Sequence, residues 1–173
     1  MAQGDIDLGG SILIVKDIKT GATAPGTDSN TVRTTAAGST LILTKNQHAG
    51  RIILLDTAAG STVTLPASTG GGDTYRFVVS VLATSNNHIV KVANTTDIIQ
   101  GAITFADTDG TAAVNGFIAN GTSFDTITLN RSTTGSVTLG ENFTLTDYAS
   151  GKWLVSGWLS NTGTPATPFT ATV

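Results

Sequence analysis

The stretch "GSTVTLPASTGGGDTYRFVVSV", residues 60–81, decides how the rest of the chain is read. Its centre, Leu65-Pro66-Ala67-Ser68-Thr69-Gly70, resembles the Leu-Pro-x-Thr-Gly signal of sortase substrates. That signal has one residue between Pro and Thr, whereas here Ala67 and Ser68 both intervene, and no apolar segment with a basic tail follows. Gly70-Gly71-Gly72 is not a phosphate loop either, because no Gly-Lys-Ser/Thr and no helical pattern come after it. What remains is a strand Ser61–Leu65 stopped by Pro66, a glycine-rich corner, and a second strand from Thr74. In that second strand Tyr75, Phe77, Val79 and Val81 fall on one face and Arg76, Val78 and Ser80 on the other, the period of two that marks a sheet with one face on a core.

The same grammar runs through the chain. Short apolar runs rich in Val, Ile and Thr alternate with Gly, Asn and Asp, and almost nothing has helical period. Strands are expected at Ser11–Ile18, Ser39–Thr44, Arg51–Asp56, Ser61–Leu65, Thr74–Leu82 and His88–Val92. Others are expected at Asp97–Phe105, Ala112–Ala119, Asp125–Leu129, Val137–Leu139, Asn142–Thr146 and Lys152–Leu159. Asn115-Gly116 and Asn120-Gly121 are hairpin-turn signals, since both residue types tolerate positive φ. Many short strands in 173 residues imply an all-β protein, a β-sandwich or jelly-roll-like barrel.

Residues 1–38 differ from 39–173. They hold one apolar strand, with Ile12, Leu13, Ile14 and Val15, amid Gly, Thr and Ala, and have little else to bury. The expectation is an extended N-terminal arm whose strand docks on this chain's own sheet or on a neighbouring molecule, followed by a β-domain. The end, "SNTGTPATPFTATV", reads as an exposed tail because Pro165 and Pro168 interrupt regular pairing.

Charge and composition limit the function. Only 12% of residues are charged, about half the ~25% of an ordinary soluble domain. A net charge of −3 gives no electrostatic reason to bind nucleic acid or an anionic membrane. No cysteine is present, so neither disulfides nor thiolate metal sites can hold the fold. The start is acidic and its apolar run stops at Lys16, which does not fit a secretion signal, and no run approaches the ~20 apolar residues of a membrane helix. The expectation is a chain that folds where it is made.

Catalytic signals are weak. His48 in "KNQHAG" and His88 in "SNNHIV" have no motif spacing to a nucleophile, and no Gly-x-Ser-x-Gly elbow occurs. Asp107 and Asp109 in "DTDG" resemble the start of a calcium loop but lack its third oxygen ligand and later Glu, so an Asp-rich turn is expected and no cofactor is implied. Asp5 and Asp7 read as solvated. Trp153 and Trp158, five apart, point to opposite faces of a regular strand unless Gly157 bulges. Asn-x-Ser/Thr sequons at Asn94, Asn120, Asn130 and Asn142 are common accidents in a Thr-rich chain.

The succession "GRIILLDTAAGSTVTLPASTGGGDTYRFVV", "NHIVKVANTTDIIQGAI" and "DTITLNRSTTGSVTLGENFTLTDYASGKWLVSGWLSNTGTPATPF" resembles the capsid decoration (auxiliary head, or cement) proteins of tailed bacteriophages, from about residue 39 to the end. The resemblance implies a non-enzymatic virion structural protein, made in the host cytoplasm, that binds the capsid exterior as a homotrimer and stabilises the shell. Its partners would be the major capsid protein and itself, with no nucleic acid and no membrane. Low charge suits broad buried interfaces, lack of Cys suits a reducing compartment, and the arm with Ile12–Val15 suits strand addition to a neighbour's sheet edge. Similar phrases occur in tail-fibre and spike modules, which would recognise host glycan through Trp153, Trp158, Tyr148 or Tyr75.

Overall fold

The computed structural model describes residues 33–109 and 113–173. Ile12, Leu13, Ile14 and Val15, and the strand expected at Ser11–Ile18, lie outside the described residues.

The described body is all-β and built from two sheets. In chain order the strands are β1 (Thr34–Ala36), β2 (Thr40–Ile42), β3 (Ile52–Leu55), β4 (Thr62–Thr64), β5 (Thr74–Val79) and β6 (His88–Lys91). They continue as β7 (Ile98–Asp107), β8 (Val114–Asn120), β9 (Thr126–Leu129), β10 (Asn142–Ala149), β11 (Lys152–Asn161) and β12 (Phe169–Thr170), with a single helical turn, α1 (Lys45–His48), after β2. One sheet has the order β1-β3-β5-β10-β11-β7-β8, and the other β12-β9-β6-β4-β2. Their inner faces share one core: Ile53, Tyr75, Phe77, Phe143 and Trp153 from the larger sheet meet Val63, Leu65, Val90, Ile127 and Phe169 from the smaller. This is the sandwich expected from the alternating pattern.

The pairing inside it is less usual. β1, β3 and β5 run parallel in one sheet while β2, β4 and β6 run parallel in the other. The chain therefore winds from sheet to sheet like a short β-solenoid through residue 91; after that antiparallel pairings appear, together with one long parallel pair, β7 with β11. The β2–β3 corner is made by the helical turn α1, and glycines with positive φ, among them Gly38, Gly60 and Gly70, turn the chain at other corners.

Four sequence expectations are corrected. First, Val137–Leu139 is a bend and not a strand, because the Glu141 carboxylate captures the N–H groups of Ser136, Val137 and Thr138 and takes them from any ladder. Second, the proline-containing C-terminus is docked. Pro168 precedes β12, Phe169 is buried and stacks on Phe124 at 5.9 Å, and Asp125 accepts from the N–H groups of Thr172 and Val173. Third, β1 lies within the segment assigned to the arm, so the domain begins near Arg33, whose carbonyl accepts from the Ile52 N–H. Fourth, neither Asn-Gly pair closes a hairpin. Asn115-Gly116 sits inside β8, and Gly121 (φ 70°) turns the chain from one sheet to the other.

β11 runs past Gly157 with unbroken register against β10, so Trp153 faces the core and Trp158 the outside. Gly157 is required on the inner face: a Cβ there would lie 2.5 Å from the Phe143 Cα.

Candidate interaction surface

The glycine-rich corner, the histidines and the Asp107–Asp109 turn are held by internal hydrogen bonds. The glycine-rich corner encloses the buried carboxylate of Asp147, which accepts from the N–H groups of Thr69, Gly70 (2.6 Å) and Gly71 and from the Ser68 hydroxyl (2.7 Å). The Ser68 N–H in turn donates to Asp97 at 2.7 Å, and Lys45 pairs with Asp73 at 2.7 Å beside the same loop. Burial pushes the Asp147 carboxyl up, but the Ser68 hydroxyl and the three N–H donors outweigh it and hold the group down at about 2. Gly70 (φ 78°) is needed where the loop presses on Ala149 and Ser150.

His88 is wholly buried. Its Nδ1 accepts from the Ser61 N–H at 3.0 Å, which puts the proton on Nε2, donated to the Val81 carbonyl at 2.9 Å. Burial lowers its pKa below the ordinary imidazole value, and a second proton would break the Ser61 bond. His48 folds back on Thr44, whose N–H donates to its Nδ1 at 2.9 Å. Both imidazoles are structural. Asp107 and Asp109 close their own turn, Asp107 accepting from the Asp109 N–H and Asp109 from the Gly163 N–H at 2.7 Å, and no group of three potential metal ligands occurs among the described residues.

The sequons have a common geometry. The side-chain oxygens of Asn94, Asn120 and Asn130 accept from backbone N–H groups two and three residues ahead, so the Ser or Thr at +2 belongs to an Asx turn. Asn142 instead bridges β10 to the Arg76 guanidinium.

The proposed aromatic set splits in two. Tyr75 and Trp153 pack edge-to-face in the core at 5.8 Å, and burial, with Asp73 and Asp147 nearby, pushes the Tyr75 phenol up to about 12. They are not available to a glycan. Trp158 and Tyr148 reach the surface, and the Tyr148 hydroxyl donates to Gln100.

What stands out is the outer face of the larger sheet. Reading the register across β10, β11, β7 and β8 gives the rows Asn142-Trp158-Thr104-Gly116, Thr144-Ser156-Ala102-Ile118 and Thr146-Leu154-Gln100-Asn120. Beyond them on β5 and β3 lie Thr74, Arg76, Val78, Ile52 and Leu54. Across seven strands the outward positions carry two charges, Arg76 and Lys152, and no carboxylate. Val114, Ile118, Leu154 and Trp158 are exposed on this face, with Ile118 at 76%. Lone exposed apolar residues are ordinary, but a contiguous uncharged face is a mark of an interaction surface. Sequence reasoning put Trp153 and Trp158 on opposite faces from strand alternation without saying which faced out; it missed Ile118 and Leu154, because their adjacency depends on β7 lying between β8 and β11.

No protein-family model, curated protein or solved structure matches the chain. No helix among the described residues is long and apolar enough to cross a membrane.

Proposed function

We propose that the protein is a non-enzymatic structural component of a phage particle that binds the outer capsid surface and stabilises the shell, working as a homotrimer. The observation that carries this reading is the broad outer face of the larger sheet, uncharged except at Arg76 and Lys152 and apolar along Trp158, Leu154 and Ile118. Such a face is buried against a partner at little desolvation cost. Its rigidity has a source too, since buried carboxylates tie the connecting loops to the strands. A binder that engages only the assembled shell stabilises it by mass action, each added copy spreading load between capsid subunits.

The arm supplies the second contact. It enters the domain at Arg33, directly before the edge strand β1, and its Ile12–Val15 run has the composition of a strand that adds to another chain's sheet. Deleting residues 1–20 is expected to abolish binding to purified capsids, or weaken it at least tenfold, while leaving the cooperative unfolding of the β-domain unchanged. A truncated chain that still saturates capsids removes the arm from the account.

Glycan recognition, as in tail fibres, has less support: of the four aromatic residues it would use, Tyr75 and Trp153 are core residues.

A further inference from the structure

Among the described residues β8 is an open edge of unusual character. The other three sheet edges are short: β1 and β2 have three residues each, and β12 two. β8 has seven, VNGFIAN, and no charge interrupts residues 113–124. Natural edges are guarded by Lys, Pro, a bulge or an inward charge. None of these is present in β8, whose register against β7 is unbroken.

The phase of its hydrogen bonds follows from one contact. The Asp107 N–H donates to the Ala113 carbonyl, so the hydrogen-bonded positions facing β7 fall at 113, 115, 117 and 119. Val114, Gly116, Ile118 and Asn120 therefore aim their N–H and C=O groups away from the sheet. These same residues project their side chains onto the outer face, where Val114 and Ile118 are 79% and 76% exposed.

We propose that β8 pairs antiparallel with β8 of a second copy, about a twofold axis at Phe117. This register is the one that uses the whole strand. It sets Val114 opposite Asn120 of the second copy and Gly116 opposite Ile118, all of them positions whose backbone groups point away from β7 and pair with no described strand, so both ladders of donors and acceptors match. It also places a large residue against a small one: nothing lies within 4 Å of a Cβ built on Gly116, leaving room for the Ile118 side chain from across the axis. With no charge on either strand, no like pair opposes contact. Phe117 meets its twin on the inner face, where it already packs on Phe105 at 5.3 Å. The result is one continuous fourteen-stranded sheet whose outer face joins two copies of the uncharged surface (seven strands from each). The pairing stands whether or not the shell reading holds. If it does hold, twofold contacts fall between adjacent threefold clusters of a shell lattice and would link them.

A seven-residue edge buries less than the ~1,200 Å² of a standard interface, so association is expected to build up over roughly the micromolar range. The chain has no cysteine, which makes a specific test possible. Gly116→Cys and Ile118→Cys are prepared separately in the full chain, then oxidised mildly, alone and mixed. Facing Cα atoms in such a pair lie about 5.5 Å apart, within disulfide range. The mixture is expected to form a 116–118 heterodisulfide at least several-fold faster than either variant alone. Ile118→Lys, at a site outside the core, is expected to shift sedimentation of the full chain toward monomer by tenfold or more in dissociation constant. A wild-type chain that stays monomeric to several hundred micromolar, or cross-linking with no preference for the mixture, overturns the pairing. Loss of capsid binding in Ile118→Lys without any change in self-association would assign the edge to a capsid strand and also overturn it.

Discussion

Glu141→Ala is expected to lower the stability of the domain by about 4 kcal/mol, a large part of the ~5–15 kcal/mol that a domain of this size possesses. Glu141 is completely buried. Its two carboxylate oxygens accept from the N–H groups of Ser136 at 2.6 Å and of Val137 and Thr138 at 2.7 Å, and from the Ser160 hydroxyl at 2.5 Å. Those bonds hold the bend between β9 and β10 against β11. A bond to a charged acceptor is worth about 1.5–3 kcal/mol, and donors left dry cost about as much again as their own desolvation. Partial entry of water into the vacated space keeps the total below the simple sum. Glu141→Gln keeps the volume but turns an acceptor into a donor facing N–H groups, so a loss of about 3 kcal/mol is expected. Urea unfolding measures both, as a lower midpoint at unchanged slope. A midpoint within experimental error of the wild type would show that the bend does not depend on this carboxylate.

The second large effect belongs to Asp147. Asp147→Asn is expected to cost about 3 kcal/mol and to free the corner at residues 68–73. Its pH dependence has a definite sign. An unfolded aspartate titrates near ~3.9, whereas burial opposed by Ser68, Thr69, Gly70 and Gly71 leaves the folded group at about 2. The folded value is the lower one, so the stabilisation is complete above pH ~4–5 and is lost as pH falls toward 2, an acid-dependent share of about 2–3 kcal/mol. Wild-type unfolding free energies taken from pH 6 down to pH 2 should show this fall, and Asp147→Asn should lack that share of it. Equal acid slopes in the two proteins would mean that the corner is held by other contacts.

Both carboxylates explain why part of this molecule is written plainly in its sequence and part is not. Tyr75, Phe77 and Val79 announce their strand by alternation, and the structure buries all three. Trp153 and Trp158 separate to opposite faces for the same local reason. Glu141 and Asp147 give no such signal. An acidic residue beside turn residues looks solvated until the chain brings Ser68 to a position 79 residues downstream. Val137–Leu139 has the residues of a strand, yet three N–H bonds to Glu141 outweigh that propensity. β1 and β12 are short, and each depends on its partner strand more than on its own residues. The parallel winding of β1 to β6 leaves no local mark, because inward and outward alternation is the same in either direction. Alternation separated Trp153 from Trp158 without telling which faced out, and the extent of the outer face depends on strand order, with Ile118 and Trp158 lying two strands apart on either side of β7.

Lack of disulfides does not leave the described loops loose. Asp125 holds the C-terminus, Asp97 and Asp147 the glycine corner, Glu141 the bend, and Asp56 the Gly38 N–H at 2.8 Å. Carboxylates that accept from backbone donors do in this chain what cross-links do elsewhere. The outer face, with charges only at Arg76 and Lys152, thereby stands on strands whose connecting loops are tied down.

The most direct test is the number of copies per particle, measured by quantitative mass spectrometry of purified virions against the major capsid protein. A protein that covers the shell is present at parity with the capsid subunit or at a fixed simple fraction of it. A handful of copies would place the chain on the tail, and absence from the particle would contradict the structural role altogether.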